Sequence, residues 1–437
     1  MLSFITEKNR GKMRKRIAAF GIAAATALTL CSCAGGGAKT DTADGVTTEV
    51  EIWHYWDGKN ADTFDEMVKT FNKENRDIKI KTTAVPNGDY LTKLRASASS
   101  NSLPDISVGD LIWVPQIAKM GKSADISQVL DKKLLSDINP ALTSFGSIDG
   151  KQVSVPVSAN NLAYMYNKTL FKEAGLDPAA PPKTWEELKT MGKQILDKTG
   201  KPGYDLLTEA GDNGEGLTWN FQVNLWQAGG EFLNKDNSKA AFNSPEGKKA
   251  AQFWVDLIKS GISPYAKWGE FEKGKGGSAQ EGSWMVGIWA ADPPFDFEVA
   301  QLPVPEGGKQ ATNLGGEQAM IFNNDPKKVK AAGKFLSWFL SDKQILNWNQ
   351  ETGFIPVRNS IAEGSEYRDW VQQNQKQLMP FVEQMKFAKA RPNTAAYPQI
   401  SMVFAKEMEK AFAGEVSVDK ALASAETAVN EVIAKGK

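Results

Sequence analysis

Segments with strand-like and helix-like apolar patterns alternate along residues 49–108, and this alternation is the strongest constraint on the fold. The strand-like segments are 50–56, 78–85 and 105–108, and the helix-like segments are 61–75 and 89–100. A β-α-β-α-β order predicts an α/β fold with a largely parallel sheet flanked by helices. Because ligands of such sheets bind beyond the carboxyl ends of the strands, Trp56, Asp57 and Asp110 are candidate site residues.

Helix-start signals farther along the chain assign several tryptophans to structural positions. Thr184 and Glu187 have the spacing of a capping box, which places Trp185 in the first turn of a helix. Trp254 and Trp338 occur at helical spacing with other apolar residues. We therefore expect these three indoles to anchor helices in the core rather than to contact a ligand.

Composition excludes several classes of function. Residues 1–32 contain six basic residues and one acidic residue, so the remainder has 46 basic and 51 acidic residues out of 52 of each in the whole chain. That balance argues against a nucleic-acid partner, because binding phosphates requires clustered Lys and Arg. With a single histidine, His54, and both cysteines before residue 34, no metal site or nucleophilic triad is predicted. A chain of this length predicts two lobes.

The N-terminal segment looks like the processing site of a bacterial lipoprotein. Basic residues precede an apolar run at 17–30, which ends in Leu30-Cys31-Ser32-Cys33. The pattern predicts a signal peptide over 1–32, a lipidated Cys33 and a flexible tether over 33–48. We expect the protein to be anchored outside the cytoplasm, on the outer face of the cytoplasmic membrane or in the periplasm of a two-membrane host.

Seven short segments resemble the extracellular solute-binding proteins, family 1, of bacterial ABC importers, the family that includes maltose-binding protein. They are, in the family's order, 104–106 (PDI), 150–156 (GKQVSVP), 164–168 (YMYNK), 184–188 (TWEEL), 302–305 (LPVP), 313–316 (NLGG) and 353–358 (GFIPVR). The resemblance implies a type II periplasmic-binding-protein fold, with the ligand in a cleft between two lobes joined by crossing hinge segments. It implies an N-terminal lobe of 49–155 plus 314–355 and a C-terminal lobe of 156–313 plus 356–437.

The resemblance also implies a set of ligand contacts. Phe271, Gly274, Lys275, Gly282 and Trp284 keep the spacing of a family motif whose tryptophan stacks on sugar, although the polar segment 276–281 departs from the family's apolar strand. Trp284 is therefore the leading stacking residue. The other implied ligand-binding residues are Trp56, Asp57, Asp110, Trp113, Asn160, Tyr164, Glu209, Trp219, Gly316, Glu317, Arg358 and Phe404.

The residue types agree with a sugar ligand. Carboxylate and amide groups exchange hydrogen bonds with hydroxyls, and indole faces cover the C–H faces of sugar rings. We expect a monomer without cofactor that captures an oligosaccharide by hinge closure and delivers it to ABC permease subunits. Two alternatives stay open at this point: a non-sugar solute on the same fold, and a lipid-anchored glycoside hydrolase, whose paired carboxylates need no fixed spacing along the chain.

Overall fold

The computed structural model describes residues 47–120, 122–322 and 325–436. The predicted signal peptide 1–32, the lipidation site Cys33 and nearly all of the tether lie outside these ranges. Residues Val46–Lys437 form one compact unit. Within it, the predicted β-α-β-α-β order of residues 49–108 is confirmed.

Twelve strands form in the described residues: β1 (Thr48–His54), β2 (Ile78–Ala84), β3 (Ile106–Asp110), β4 (Ser147–Ile148), β5 (Lys151–Gln152), β6 (Val155–Pro156), β7 (Leu162–Asn167), β8 (Ser278–Gly282), β9 (Phe297–Ala300), β10 (Thr312–Leu314), β11 (Glu317–Ile321) and β12 (Ala388–Ala390). The largest sheet has the order β2-β1-β3-β11-β6, and a second sheet has the order β8-β7-β9. Strands β10 and β12 pair separately, as do β4 and β5.

The α-helices of the described residues are α1 (Gly58–Glu74), α2 (Asn87–Ser99), α3 (Val114–Ala118), α4 (Lys132–Asp137), α5 (Pro140–Thr143), α6 (Lys168–Glu173), α7 (Trp185–Thr199), α8 (Glu215–Gln227), α9 (Pro245–Lys259), α10 (Trp284–Trp289), α11 (Pro326–Phe339), α12 (Asp342–Thr352), α13 (Asn359–Ala362), α14 (Ser365–Asn374), α15 (Met379–Gln384), α16 (Tyr397–Phe412) and α17 (Val418–Lys435). None of these helices combines the length and apolar character that crossing a bilayer requires.

The five-stranded sheet forms the core of the first lobe. Strands β2 and β3 run parallel to β1, whereas β11 runs antiparallel to β3. This antiparallel register places Glu317, the first residue of β11, opposite Asp110, the last residue of β3. Two acidic side chains from distant parts of the sequence therefore meet at the edge of the sheet where β1 and β3 end.

The three-stranded sheet forms the core of the second lobe. Every residue of β7 and β8 is buried, and β8 pairs antiparallel with β7. The polar residues of β8 are accommodated because they have hydrogen-bond partners: Gln280 donates to the backbone oxygen of Asn220 at 3.0 Å, and Ser278 donates to the Gly203 carbonyl at 2.9 Å. A segment that is more polar than the family pattern thus still forms a strand.

The connections between the two sheets run side by side. Asn160 and Gly315 exchange two backbone hydrogen bonds of 3.0 and 2.9 Å, and the amide of Ile355 donates to the Ala159 carbonyl at 2.7 Å. Three crossing segments are thereby held together at one place. The predicted lobe boundaries fall in or next to these segments, and they stay a prediction.

The core assignment is confirmed for Trp185 and Trp254, whereas Trp338 is only partly buried: it packs on Phe71, and its indole donates to Glu74 at 2.9 Å. Thr184 and Glu187 form a complete capping box at the start of α7. Trp185 is buried and stacks on Phe253 of α9, with ring centroids 4.2 Å apart. Trp254 is also buried, and its indole donates to Asn224 at 2.8 Å.

Candidate ligand-binding site between the lobes

The first lobe contributes a polar group to the candidate site where β1, β3 and β11 meet. The Tyr55 hydroxyl, just after β1, donates to Glu317 Oε1 at 2.7 Å. Asp110 caps the turn that follows β3 by accepting from the Ile112 amide at 3.1 Å. The strand register fixes these positions, so the group is preorganised by the sheet rather than by flexible loops.

The carboxyl group of Glu317 is tuned by burial. Its side chain is 4% exposed. Burial, followed by the negative charge of Asp110, raises the pKa of Glu317 to about 8, against the lowering effect of hydrogen bonds from Tyr55 and Trp56. Its Oε2 atom has no hydrogen-bond partner of good geometry among the described residues. At neutral pH Glu317 is therefore mainly protonated and can both donate and accept a hydrogen bond.

The second lobe contributes a pair of stacked indoles. Trp219 on α8 and Trp284 at the start of α10 have ring centroids 5.6 Å apart and an interplanar angle of 16°. Both side chains are only partly buried. A Cβ atom at Gly282 would lie 2.1 Å from the Trp284 ring, so the absence of a side chain at this position lets the indole lie against the backbone.

The crossing segments bring polar and aromatic atoms into close contact. A Cβ atom at Gly315 would lie 2.1 Å from Asn160 Oδ1 and 3.1 Å from the Trp219 ring. Gly316 has a φ of +141°, and a Cβ there would lie 2.2 Å from the Ser158 carbonyl oxygen. Glycine is needed at both positions because the backbones approach so closely.

Two polar side-chain atoms at this junction are buried and unsatisfied. The Oδ1 atom of Asn160 and the Nε1 atom of Trp219 are buried without a hydrogen-bond partner among the described residues. Buried polar atoms of this kind are costly unless another group satisfies them. One acceptor, on Asn160, and one donor, on the Trp219 indole itself, are therefore left unpaired within the described part of the chain.

Arg391 lies between the two lobes and interacts with the residues described above. Its guanidinium group donates to Asp110 Oδ1 at 2.8 Å and to Glu215 Oε1 at 2.7 Å. The guanidinium carbon also lies 5.5 Å from the Trp219 ring centroid. Sequence reasoning missed both Arg391 and Glu215, because neither lies in a segment with a recognisable pattern and only the fold brings them to Asp110.

The family model for bacterial extracellular solute-binding proteins matches residues 66–376. The chain belongs to this family. The cyclic α-maltosyl-1,6-maltose binding protein of Arthrobacter globiformis is similar in structure to this solute-binding protein, with a TM-score of 0.82, 66% sequence identity, and coverage of 89% of this chain and 100% of that one. The two-lobe periplasmic-binding-protein-like fold expected from sequence is thereby confirmed.

Two further relatives of this solute-binding protein cover nearly the same length. The GacH receptor of Streptomyces glaucescens, solved free and with acarbose, has a TM-score of 0.79 and 25% identity over 90% of this chain and 100% of that one. The sn-glycerol-3-phosphate-binding periplasmic protein UgpB of Escherichia coli K12 is 24% identical over 93% of this chain and 97% of its own length.

The structure places two of the predicted contact residues in the core of this solute-binding protein. Phe404 has no exposed surface and packs among Phe221, Phe232 and Phe242. Tyr164 is 2% exposed and stacks beside Tyr166 in β7. Because neither ring has a face free for stacking, both expectations of ligand contact are corrected to structural roles.

Arg358 and Glu209 also lie apart from the group around Arg391. The Arg358 guanidinium pairs with Asp137 and Asp342, and it donates to the Leu340 carbonyl at 3.0 Å. All three partners belong to helices or helix ends of the first lobe. Glu209 is exposed, and its charge acts on Tyr265, whose pKa is raised first by burial and then by the carboxylates of Glu409 and Glu209. We therefore leave Arg358 and Glu209 out of the proposed site.

The two tryptophans predicted near the ends of β1 and β3 are packed in the core next to the residues that follow these strands. Trp56 is 4% exposed and packs on Trp348, with ring centroids 4.7 Å apart. Trp113 is 6% exposed, stacks on Tyr90 and meets Tyr55 edge-on. Neither indole offers a broad free face for stacking.

Of the remaining predicted residues, four lie on or beside the crossing segments or contact Arg391, whereas Asp57 lies at the start of α1. Asp57 is exposed and occupies the N-cap position of α1. Asn160, Gly316 and Glu317 lie on the crossing segments or next to them, and Asp110 contacts Arg391. Within the described ranges, no group of three or more His, Cys, Asp or Glu side chains is arranged to hold a metal ion.

Proposed function

We propose that this protein is the substrate-binding component of a bacterial ABC importer and captures a neutral oligosaccharide between its lobes. One observation carries the proposal: the Trp219–Trp284 indole pair lies next to buried, unsatisfied polar atoms of Asn160 and Trp219 itself. Indole faces cover the C–H faces of sugar rings, and the polar atoms exchange hydrogen bonds with hydroxyls. A sugar needs both kinds of contact.

The relatives point to an α-glucan oligosaccharide as the first ligand to test. The protein that is 66% identical is described as binding cyclic α-maltosyl-1,6-maltose, and the GacH receptor was solved with acarbose. We therefore propose cyclic α-maltosyl-1,6-maltose as the lead ligand for this chain.

The likeness to UgpB raises the alternative of a phosphorylated ligand. The electrostatics of the site argue against this alternative. The Arg391 guanidinium carbon lies 5.5 Å from the Trp219 ring centroid, and two carboxylates, Asp110 and Glu215, already neutralise this cation. A phosphate ester beside Arg391 would be repelled by these two carboxylates, and the guanidinium is already paired with both of them.

The same ion pairs argue against glycoside hydrolysis. A hydrolase needs one carboxyl group free to give a proton and a second one free to attack or to activate water. Asp110 and Glu215 are instead both bound to one guanidinium. We infer that the protein binds its ligand without a chemical step.

Transport then requires only a change of conformation. An open form admits the sugar, contacts from both lobes favour the closed form, and the closed form docks on permease subunits in the membrane. A lipid on Cys33, after removal of residues 1–32, would hold the protein as a monomer near its permease on the extracytoplasmic side.

Isothermal titration calorimetry tests the proposal directly. The polypeptide from residue 46 onward, which forms one compact unit, is titrated with cyclic α-maltosyl-1,6-maltose, maltotriose and sn-glycerol-3-phosphate. We expect selective binding of a glycan that is lost in Trp284→Ala and kept in Trp370→Ala, a control at a partly buried tryptophan of α14. Binding of the phosphate ester alone, or hydrolysis of either glycan, would contradict the proposal.

A further inference from the structure

Arg391 has ion-pair partners in both lobes. Its side chain is only 1% exposed. The Nη2 atom donates to Asp110, at the end of β3 in the first lobe, and the Nη1 atom donates to Glu215, at the start of α8 in the second lobe. Arg391 itself follows β12, which pairs with β10 next to α8. One guanidinium thus bridges two carboxylates that belong to different lobes.

Each carboxylate is fixed within its own lobe. Glu215 Oε2 accepts from the Ser401 hydroxyl of α16 at 2.6 Å, and its Oε1 accepts from the Tyr397 hydroxyl at 3.3 Å. Asp110 accepts from the amide of Ile112 at 3.1 Å and stands in register with Glu317. Since neither carboxylate depends on Arg391 for its position, the bridge responds to the distance between the lobes.

Without the guanidinium, closure would bring two negative charges together. Both carboxylates bind the same guanidinium, at 2.7 and 2.8 Å. Burial raises the pKa of Glu215, the positive charge of Arg391 lowers it, and the negative charge of Asp110 raises it. Two like charges in a poorly solvated place oppose approach, while one cation between them reverses the sign of the interaction. The bridge is therefore suited to favour the closed arrangement.

We propose that Arg391 is a positioning residue that clasps the lobes: it stays paired with Glu215 in the second lobe and captures Asp110 when the cleft closes. The clasp rests on the proposed hinge closure but not on the identity of the solute. Its contact with the Trp219 ring couples the clasp to the indole pair, so closure also fixes the stacking surface.

Distances between two spin labels measure the clasp. Both native cysteines precede residue 34, so Ser99→Cys on α2 and Lys259→Cys on α9, each at an exposed position, label the two lobes selectively in the polypeptide from residue 46. The distance distribution is recorded by double electron–electron resonance without and with cyclic α-maltosyl-1,6-maltose, and sugar dissociation is followed by stopped-flow fluorescence.

We expect Asp110→Asn and Arg391→Met each to lower the closed fraction and to speed dissociation at least tenfold. The double variant should have the same closed fraction and dissociation rate as whichever single variant closes less, because both changes break the same contact. Arg391→Lys, which keeps the charge but loses the bidentate geometry, should fall between Met and wild type.

Lys328→Met is the control, because Lys328 also pairs with a buried carboxylate, that of Asp105, and both of these residues lie in the first lobe. It should lower thermal stability and leave the closed fraction unchanged. A wild-type closed fraction in Asp110→Asn, or additive effects in the double variant, would overturn the clasp. If wild type binds no glycan, the proposed function fails. The clasp is then tested by the closed fraction of the ligand-free protein, which Arg391→Met must still lower.

Discussion

The indole rings of Trp219 and Trp284 stack with centroids 5.6 Å apart, although 64 positions separate the two residues in the chain. Trp219 comes from the buried helix α8, and Trp284 follows strand β8. Each ring supports one face of the other, and both remain partly exposed. The pair is therefore a rigid aromatic wall rather than two independent side chains.

Replacing one member of this wall should remove most of the affinity. We expect Trp284→Ala to weaken binding of cyclic α-maltosyl-1,6-maltose by about 2 kcal/mol or more, because it removes the stacking face and the support of Trp219. Isothermal titration calorimetry measures the loss. An affinity equal to that of Trp370→Ala would contradict a role for Trp284 in the site.

Gly282→Ala should displace the Trp284 ring without removing it. The added Cβ would lie 2.1 Å from the Trp284 ring, so the indole must leave its position. We expect roughly tenfold weaker binding, about 1.4 kcal/mol, with a smaller change in melting temperature. Gly88→Ala, where nothing lies within 4 Å of the added Cβ, is the matched control. Unchanged affinity in Gly282→Ala would show that the ring position is unimportant.

Glu317 should make stability depend on pH. Its pKa rises from 4.5 to about 8 in the folded protein, so the folded state retains a proton that the unfolded chain has lost. The free energy of unfolding therefore falls between about pH 4.5 and pH 8, by at most about 1.4 kcal/mol per pH unit for this one group.

Urea unfolding at pH 5, 6, 7 and 8 checks this dependence. Glu317→Gln cannot titrate, so its stability should decline less over this range than that of wild type. Burial also raises the pKa of Asp205, to about 6, so Asp205 lowers stability with rising pH in both wild type and Glu317→Gln. The difference between the two stability curves therefore reports Glu317. Parallel curves would mean that Glu317 titrates normally.

Phe404 should matter for stability rather than for ligand recognition. It is fully buried among three other phenylalanines, so Phe404→Ala leaves a cavity and should cost about 3–5 kcal/mol of the free energy of unfolding. Titration well below the variant's melting temperature should give nearly wild-type affinity. A selective loss of affinity at unchanged stability would restore the role that the resemblance implied.

Residues that depend on local pattern could be predicted from the sequence. The alternation of strand and helix periods determined the first lobe's sheet, and the capping box at Thr184 and Glu187 determined where α7 begins. The family spacing around Gly282 also singled out Trp284. Each strand, helix start or motif is recognised from residues that are close together in the chain, where backbone geometry relates sequence directly to structure.

Only the tertiary structure decided which side chains meet between the lobes. The spacing of apolar residues places Phe404 on the apolar face of its helix. It cannot show whether that face packs against the core or lines a cleft. Arg391, Asp110 and Glu215 are far apart in the chain and carry no shared motif. Their bridge depends on the strand register and on the packing of α8 and α16, because burial and charge pairing are properties of three-dimensional contacts.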